Sequence, residues 1–218
     1  MSEKKKIIIT IARQYGSGGA DTGKKLAEDL GISFYDKNIL RMNSDESGIK
    51  ESYFHLADEK AGNRLLYKII NTLTPEKGAP SFGSDLISAD NLFRFQSEVI
   101  RKLAAEESCV IIGRCADYLL RERENVIRCY IFAPYQARIR NSILTLGLAT
   151  AEPQRIIEEV DKARAEYYRS HTGCEVNNTR YRDLFLNSNL LGVEGTADLI
   201  VDAVRRKFGL EAPAEEQI

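Results

Sequence analysis

The sequence predicts an α/β fold in which a parallel sheet of five strands is covered by helices on both faces. Short apolar runs recur along the 218 residues, and segments of helical length separate them. A glycine-rich turn follows the first run and leads into a helix-forming segment. Strands that alternate with helices in this way run parallel, because each connection must cross a face of the sheet. We therefore expect three layers, with the sheet in the middle.

The predicted strands are short runs rich in β-branched residues, which is typical of strands buried on both faces. They cover residues 6–12, 32–35, 109–113, 126–132 and 184–186. The predicted helices lie between and after them, at residues 22–30, 63–73, 89–105, 134–146, 153–170 and 196–208. Gly31 is placed to end the first helix, and Pro134 suits the first turn of a later one.

We interpret residues 1–210 as a single domain. About residues 37–106 form a helical insert between the second and third strands, and residues 211–218 are expected to be a disordered tail. The sequence contains no internal repeat and no low-complexity segment.

Charge and apolar patterning exclude several classes of protein. The chain has 31 basic and 32 acidic residues, so net charge gives no reason to expect nucleic-acid binding. The longest apolar runs, at residues 7–9 and 110–112, are too short to span a bilayer, and the N-terminus lacks a signal peptide's apolar stretch. The four cysteines form no C-x-x-C pair. We expect a cytoplasmic protein with reduced thiols that binds neither membrane nor nucleic acid.

The turn after the first strand predicts a phosphate site. Residues 11–25 read IARQYGSGGADTGKK, with glycines at Gly16, Gly18, Gly19 and Gly23. Glycine lets the main chain approach an anion closely, and the N-terminus of the following helix adds unpaired N–H donors. Residues 18–24 match G-x-x-x-x-G-K, the start of the Walker A pattern, in which Lys24 would reach the β- and γ-phosphates of ATP.

The last position of this pattern departs from expectation. Lys25 stands where Walker A has a Ser or Thr that binds Mg²⁺. The candidate replacements are the hydroxyl of Thr22, the hydroxyl of Ser17 or a water molecule, and Lys25 is itself a candidate phosphate contact. The simpler alternative is a glycine turn that joins a strand to a helix, with a solvated lysine.

Several blocks of the chain resemble the cytidylate kinase-like proteins, which are relatives of cytidylate kinase among the nucleoside monophosphate kinases. The blocks are ITIARQYGSGG at 9–19, GKKLAEDLGISFYD at 23–36, VIIGRCADYLL at 110–120, DKARAEYY at 161–168 and YRDLFLNSNLLG at 181–192. The resemblance implies a P-loop kinase fold with an acceptor-binding insert and a lid at about residues 138–170. It also implies ATP and Mg²⁺ as cofactors and a small nucleotide, such as CMP or dCMP, as acceptor.

The resemblance further implies an acceptor site. Gly113 and Arg114 end the third strand where cytidylate kinases have Gly-Arg-Asp, so Arg114 would bind the acceptor or the moving phosphoryl group. The acid here is Asp117, two positions later. Arg114 would alternatively form a structural ion pair at a helix start. Asp36 follows the second strand, where doubly wound sheets bind ligands. It would orient the acceptor or a Mg²⁺-bound water, or cap the next helix.

The charged helix at residues 153–170 resembles the lid of these kinases. Phosphoryl transfer needs positive charge around the moving group, so Arg155 and Arg164 are the lid candidates, with Arg138 and Arg140 behind them. The alternative is a solvated helix face. Arg13, directly before the loop, either leans over the phosphates or pairs with Asp21.

Three functions remain open at this stage. The first is a nucleoside monophosphate kinase, and the second is a kinase of another small metabolite, decided by the insert. The third is a non-catalytic nucleotide-binding regulatory protein, which Lys25 in place of the hydroxyl residue favours. The sequence gives no indication of oligomeric state.

Overall fold

A computed structural model of the chain describes residues 6–36, 65, 69, 72, 89–146 and 153–210. Its sheet has five parallel strands in the order β2-β3-β1-β4-β5, which confirms the predicted α/β class. The strands are β1 (Ile8–Arg13), β2 (Ser33–Tyr35), β3 (Cys109–Ile112), β4 (Val126–Phe132) and β5 (Leu184–Asn187).

Helices connect these strands and cover the sheet. They are α1 (Gly19–Leu30), α2 (Ala89–Glu106), α3 (Ala116–Leu119), α4 (Tyr135–Leu146), α5 (Pro153–Thr172) and α6 (Ser188–Phe208), with a 3₁₀ turn at Thr179–Tyr181. Of the helix predicted at residues 63–73, only Leu65, Ile69 and Thr72 are described, and all three are helical. The remainder of the insert before Ala89 and the tail at 211–218 lie outside the described residues. Within the described ranges, no helix is both long and apolar enough to cross a membrane.

Two helices begin earlier than the sequence predicts. α1 begins at Gly19 rather than at residue 22, with Gly18 as its N-cap. α6 begins at Ser188 rather than at residue 196, because the Asn187 side chain accepts the N–H of Asn189 and caps it there. A non-helical backbone at Gly192 (φ 71°, ψ −169°) then separates its first turn from the remainder.

The core consists of two apolar layers, one on each face of the sheet. Successive residues of β1 point to opposite faces, so Ile8 packs with α2 and α3, whereas Ile9 and Ile11 pack with α1 and α6. All three are fully buried. Burying each such side chain contributes about 1.5–3 kcal/mol, so these contacts stabilise the central strand that leads into the glycine-rich loop.

The topology places a crevice between the carboxyl ends of β1 and β3. These neighbouring strands pair in register from Ile8 with Cys109 to Ile11 with Ile112. The connection from β1 leads to β2 on one side, and the connection from β3 leads to β4 on the other. Ligands of open α/β sheets bind where connections diverge in this way.

Candidate active site

The loop between β1 and α1 has the backbone shape of an anion site. Gly16 and Gly18 adopt left-handed conformations, with φ of 73° and 71°. A Cβ atom on Gly16 would lie 2.6 Å from the carbonyl oxygen of Arg138, so only glycine fits there. Such a loop in front of a helix N-terminus can present backbone N–H groups to a phosphate.

Side chains from two later helices fix the loop. The Asn141 amide of α4 donates to the Gly16 carbonyl at 3.0 Å, and the Ser188 hydroxyl of α6 donates to the Ser17 carbonyl at 2.6 Å. The Ser17 hydroxyl is buried and donates to the Gln14 carbonyl at 2.9 Å. The loop shape is therefore built into the fold.

The early start of α1 changes where the residues of the predicted Walker A pattern lie in the helix. Gly23 and Lys24 lie in the second turn of α1, and at 1.5 Å per residue Lys24 is roughly 7 Å along the helix from Gly19. A Cβ on Gly23 would lie 2.6 Å from Cδ1 of Ile112, so this glycine packs the helix on the sheet. Lys24 is exposed and pairs with no residue in the described part of the chain. The Walker A pattern specifies the spacing between its glycines and its lysine, but it does not determine the residue at which the helix begins.

The residues suggested as replacements at the missing hydroxyl position are engaged elsewhere. Thr22 is fully buried, and its hydroxyl donates to the Gly18 carbonyl at 3.0 Å. The Lys25 ammonium pairs with Asp29 one turn further along α1, in a groove between α1 and α6. Thr22 thus holds the Gly18 carbonyl of the loop, and Lys25 lies in the groove between α1 and α6. The phosphate and metal roles suggested for Thr22 and Lys25 stay predictions.

A cavity of about 310 Å³ opens beside the loop, at the carboxyl ends of β1 and β3, and α5 forms its opposite wall. Three arginines line it, and they come from three separate elements. Its polar and aromatic lining consists of Arg13, Arg114, Asp117, Arg164, Tyr167 and Tyr168.

The arginines disfavour one another's charge. Burial, and then the charge of Arg164, lower the pKa of Arg13 to about 9. Burial also lowers the pKa of Arg164, which donates to the Arg13 carbonyl at 3.3 Å and lies 3.7 Å from Asp161. An anion in the cavity would relieve this repulsion.

Arg114 reaches the cavity through a strained backbone. Gly113, Arg114 and Cys115 all have positive φ, at 71°, 55° and 55°. Each non-glycine residue in this region costs about 1–2 kcal/mol, and such strain tends to occur at functional sites. The Arg114 guanidinium carbon lies 5.3 Å from the centre of the Tyr167 ring. Burial raises the pKa of the Cys115 thiol to about 12, so it is a neutral wall residue and not a nucleophile.

Asp117 is placed differently from expectation. Its carboxylate is buried, accepts a hydrogen bond from the Tyr168 hydroxyl at 2.7 Å, and forms an ion pair with the buried guanidinium of Arg182. Arg182 therefore neutralises the charge of Asp117. At the cavity wall, Asp117 holds the Tyr168 side chain in place through its hydrogen bond. Sequence reasoning missed Arg182, because nothing local connects it to an aspartate so distant in the chain.

The remaining predicted residues lie at different distances from the cavity. Asp36 follows β2, and its charge opposes the lowering of the Arg13 pKa. Arg155, near the start of α5, has a side chain that is 68% exposed and lies 3.8 Å from Glu159. It is roughly 13 Å along the helix from Arg164, so only Arg164 of the two lid candidates lines the cavity.

Solved structures share this architecture. An uncharacterised protein from Eubacterium ventriosum has a TM-score of 0.66 and 24% identity, covering 91% of this chain and 98% of its own. Shikimate kinase from Bacteroides thetaiotaomicron has a TM-score of 0.50 and 12% identity, covering 91% of this chain and 98% of its own. At these identities the likeness shows the P-loop kinase fold.

Sequence relatives are more specific. Cytidylate kinase from Pyrococcus horikoshii is 23% identical over 92% of this chain and 90% of its own. Cytidylate kinase from Aeropyrum pernix is 23% identical over 88% of this chain and 95% of its own. The model of the cytidylate kinase-like family matches residues 8–190, which include the loop, all three cavity arginines and Arg182. With this match over most of its length and a P-loop kinase fold, the chain belongs to the cytidylate kinase-like family.

Proposed function

We propose that this protein is an ATP-dependent kinase that transfers the γ-phosphoryl group of ATP to a nucleoside monophosphate, with CMP or dCMP as the first acceptors to test. The observation that carries the proposal is the convergence of Arg13, Arg114 and Arg164 on one cavity beside a glycine-rich loop. Phosphoryl transfer depends on positioning and on positive charge around the moving group, and this cavity concentrates such charge.

The residues of the loop fit a nucleotide phosphate. The left-handed Gly16 and Gly18 and the N-terminus of α1 supply the backbone geometry that an anion requires. The described residues offer fewer groups for Mg²⁺ than for phosphate. In the described ranges no group of three His, Cys, Asp or Glu side chains could hold a metal ion, and the Thr22 and Ser17 hydroxyls donate to backbone carbonyls. We assign Mg²⁺ to the phosphates of ATP, with Asp36 as the remaining candidate for a water-mediated contact.

Each cavity residue has a role in this proposal. Arg114, held by its left-handed backbone, binds the phosphate of the acceptor with its planar donor fork. An acceptor phosphate oxygen forms a bond to the γ-phosphorus while the bond to the β,γ-bridging oxygen breaks and ADP leaves. Arg164 approaches from α5 and offsets the charge of the moving group. The helix that carries it also covers the cavity, which limits transfer to water.

The cavity and its aromatic wall favour a small acceptor. Its volume of about 310 Å³ is at the lower end of the usual range for ligand sites, which start near 300 Å³. Tyr167 lies beside Arg114. The Tyr167 ring could stack on the base of a nucleotide while the Arg114 guanidinium binds its phosphate. A metabolite other than a nucleotide is the second candidate acceptor, because most of the insert that would bind the acceptor lies outside the described residues.

A non-catalytic nucleotide-binding role is favoured by one specific observation. The first residue of α1 is Gly19, so the loop has no lysine at the helix start, and Lys24 is exposed one turn further on. A binder needs the loop but not an efficient arrangement of charge.

The test is ADP release from ATP and Mg²⁺ with a panel of nucleoside monophosphates, beginning with CMP, dCMP and UMP, and with shikimate as a non-nucleotide acceptor. Release that depends on a nucleoside monophosphate supports the kinase proposal. ATP binding without release for any acceptor supports the non-catalytic role, and release with shikimate alone contradicts the nucleotide assignment.

A further inference from the structure

The first position of α1 lacks the side chain that a phosphate loop would be expected to place there. In phosphate-loop proteins a lysine beside the loop reaches the β- and γ-phosphates. Here the helix begins at Gly19, which carries no side chain, and Gly18 caps it in a left-handed conformation. The nearest lysine, Lys24, lies in the second turn and is exposed.

The side chain of Arg13 occupies the space beside Gly19. A Cβ on Gly19 would lie 2.7 Å from Cβ of Arg13 and 3.1 Å from its Cγ. Real Cβ atoms do not approach other atoms this closely, so a lysine at position 19 and Arg13 in its present position exclude each other. The last residue of β1 thus fills the room that a helix-start side chain would need.

The guanidinium of Arg13 ends in the cavity. Its Nη1 lies against Gly113, where a Cβ atom would come within 2.7 Å of it. Arg114 and Arg164 line the same cavity. The carboxylates of Asp36 and Asp161 partly offset the Arg13 charge, but burial and the neighbouring arginines outweigh them, so its pKa is lowered. Burying a cation beside two others is unfavourable unless an anion compensates it, which agrees with its lowered pKa.

We propose that Arg13 supplies, from the end of β1, the phosphate-binding cation that a lysine at the helix start would otherwise supply. The inference rests on the proposed function, since it assigns a residue for the phosphoryl groups of the nucleotide. Arg13 is a catalytic residue in this account, because its guanidinium contacts the phosphate directly. Its planar fork binds two phosphate oxygens at once, which a lysine cannot do. The competing interpretation is structural: Arg13 only supports the Gly113 turn.

The experiment is calorimetric titration of the full chain with tripolyphosphate, which has the phosphates of ATP but no base or sugar. The variants are Arg13→Gln and Lys24→Gln, each of which removes one positive charge. Arg101→Gln is a control on α2, where Arg101 is 49% exposed and pairs with Glu98. We expect Arg13→Gln to weaken binding by about 10- to 100-fold, as for lost charge-assisted hydrogen bonds, and the other two to change it by less than about twofold. A loss in Lys24→Gln with none in Arg13→Gln overturns the proposal.

Thermal unfolding separates the proposal from the structural interpretation. If Arg13 serves phosphate binding, Arg13→Gln has an unchanged or higher Tm without ligand, because it removes a buried charge that Asp36 and Asp161 compensate only in part. A lower Tm in Arg13→Gln together with unchanged tripolyphosphate affinity supports the structural role and contradicts the proposal. Arg13→Lys, which keeps the charge but loses the fork, should bind with intermediate affinity.

A double variant tests the shared space directly. Arg13→Gly removes both the Cβ and the Cγ atoms that block position 19, and Gly19→Lys then places a lysine at the helix start. We expect Gly19→Lys alone to weaken tripolyphosphate binding, because it displaces Arg13, and the double variant to recover part of the affinity. If the double variant binds tripolyphosphate no better than Arg13→Gly alone, a lysine at position 19 does not replace the cation of Arg13, which counts against the proposal.

Failure of this inference can be told from failure of the proposed function. If tripolyphosphate binding depends on Arg13 but no acceptor is phosphorylated, the cation assignment stands and the kinase proposal fails. If a nucleoside monophosphate is phosphorylated equally by the wild type and Arg13→Gln, the kinase proposal stands and the Arg13 assignment fails. If wild-type protein does not bind tripolyphosphate, the assignment also fails.

Discussion

The carboxylate of Asp161 on α5 accepts the backbone N–H of Tyr15 in the glycine-rich loop at 2.7 Å. Its other oxygen pairs with the guanidinium of Arg138 on α4, which also donates to the Tyr15 carbonyl at 3.3 Å. A single acid thus ties the helix that covers the cavity to the loop that faces it. Asp161 stood in the charged helix interpreted as a lid, but its partner in the loop was not predicted.

Asp161→Ala should lower the free energy of unfolding by about 2 kcal/mol, because it leaves the Tyr15 N–H and the buried Arg138 without their acceptor. It should also weaken tripolyphosphate binding, since the loop loses an anchor. Urea denaturation and calorimetry measure the two effects. Glu159→Ala on the same helix is the control: its carboxylate is 63% exposed, so we expect a change below about 0.5 kcal/mol. Equal effects of both variants would contradict the assigned anchor.

Asp117→Ala should lower the free energy of unfolding by about 3–5 kcal/mol, because it leaves the buried Arg182 cation unpaired. Asp117→Leu combined with Arg182→Met should recover most of that loss, since two apolar residues of similar volume replace the pair. Urea denaturation of the single and double variants measures this. A fully stable Asp117→Ala that only loses acceptor affinity would restore the role the sequence first suggested for Asp117.

Gly23→Ala and Gly16→Ala should fail in different ways. A Cβ at Gly23 meets Ile112 and Ile11, at 2.6 and 3.1 Å, so this variant should lose about 1–3 kcal/mol of stability and keep its tripolyphosphate affinity when folded. A Cβ at Gly16 meets the Arg138 carbonyl at 2.6 Å, so this variant should distort the loop and lose affinity. Denaturation paired with calorimetry on each variant decides, and an affinity loss at Gly23 alone would support the original Walker A alignment.

The depressed pKa of Arg13 predicts a particular dependence of stability on pH. Its pKa is about 9 in the native protein, lowered first by burial and then by Arg164, and so lies well below its ordinary value in the unfolded chain. Between these values the unfolded chain binds more protons than the native one, so the Arg13 contribution to stability rises with pH from about 9 upward. Urea unfolding without phosphate at pH 7.5 to 10.5 should show the free energy of unfolding of the wild type rising relative to that of Arg13→Gln as the pH increases. Parallel profiles for the two proteins would contradict the buried charge.

The sheet was predictable because its strands depend on local signals. Runs such as residues 109–112 are short, apolar and β-branched, and only a strand buried on both faces accommodates them easily. The glycine loop was also predictable from a local signal, because Gly16 and Gly18 adopt backbone conformations that other residues avoid. Arg164 was predicted because its charged helix resembles a kinase lid, and the same argument also chose Arg155, which does not line the cavity.

What the sequence did not reveal depends on contacts between distant residues and on where a helix begins. Glycine has a low helix propensity, yet Gly19 is the first residue of α1. The Arg13 side chain occupies the space that a Cβ at position 19 would need, so glycine fits there. The glycine and the lysine that match the Walker pattern, Gly23 and Lys24, therefore lie in the second turn of α1 and not at its start. The pair of Asp117 and Arg182 forms only when the chain after α5 returns to the cavity wall.

The central claim is that the arginine cavity beside the loop supports phosphoryl transfer to a nucleoside monophosphate. The most direct measurement follows label from γ-³²P-ATP with Mg²⁺ and CMP, in the wild type and in Arg114→Gln. The account predicts labelled CDP from the wild type and a loss of about 100-fold or more in Arg114→Gln. Label appearing only as inorganic phosphate, or equal transfer by both proteins, would contradict it.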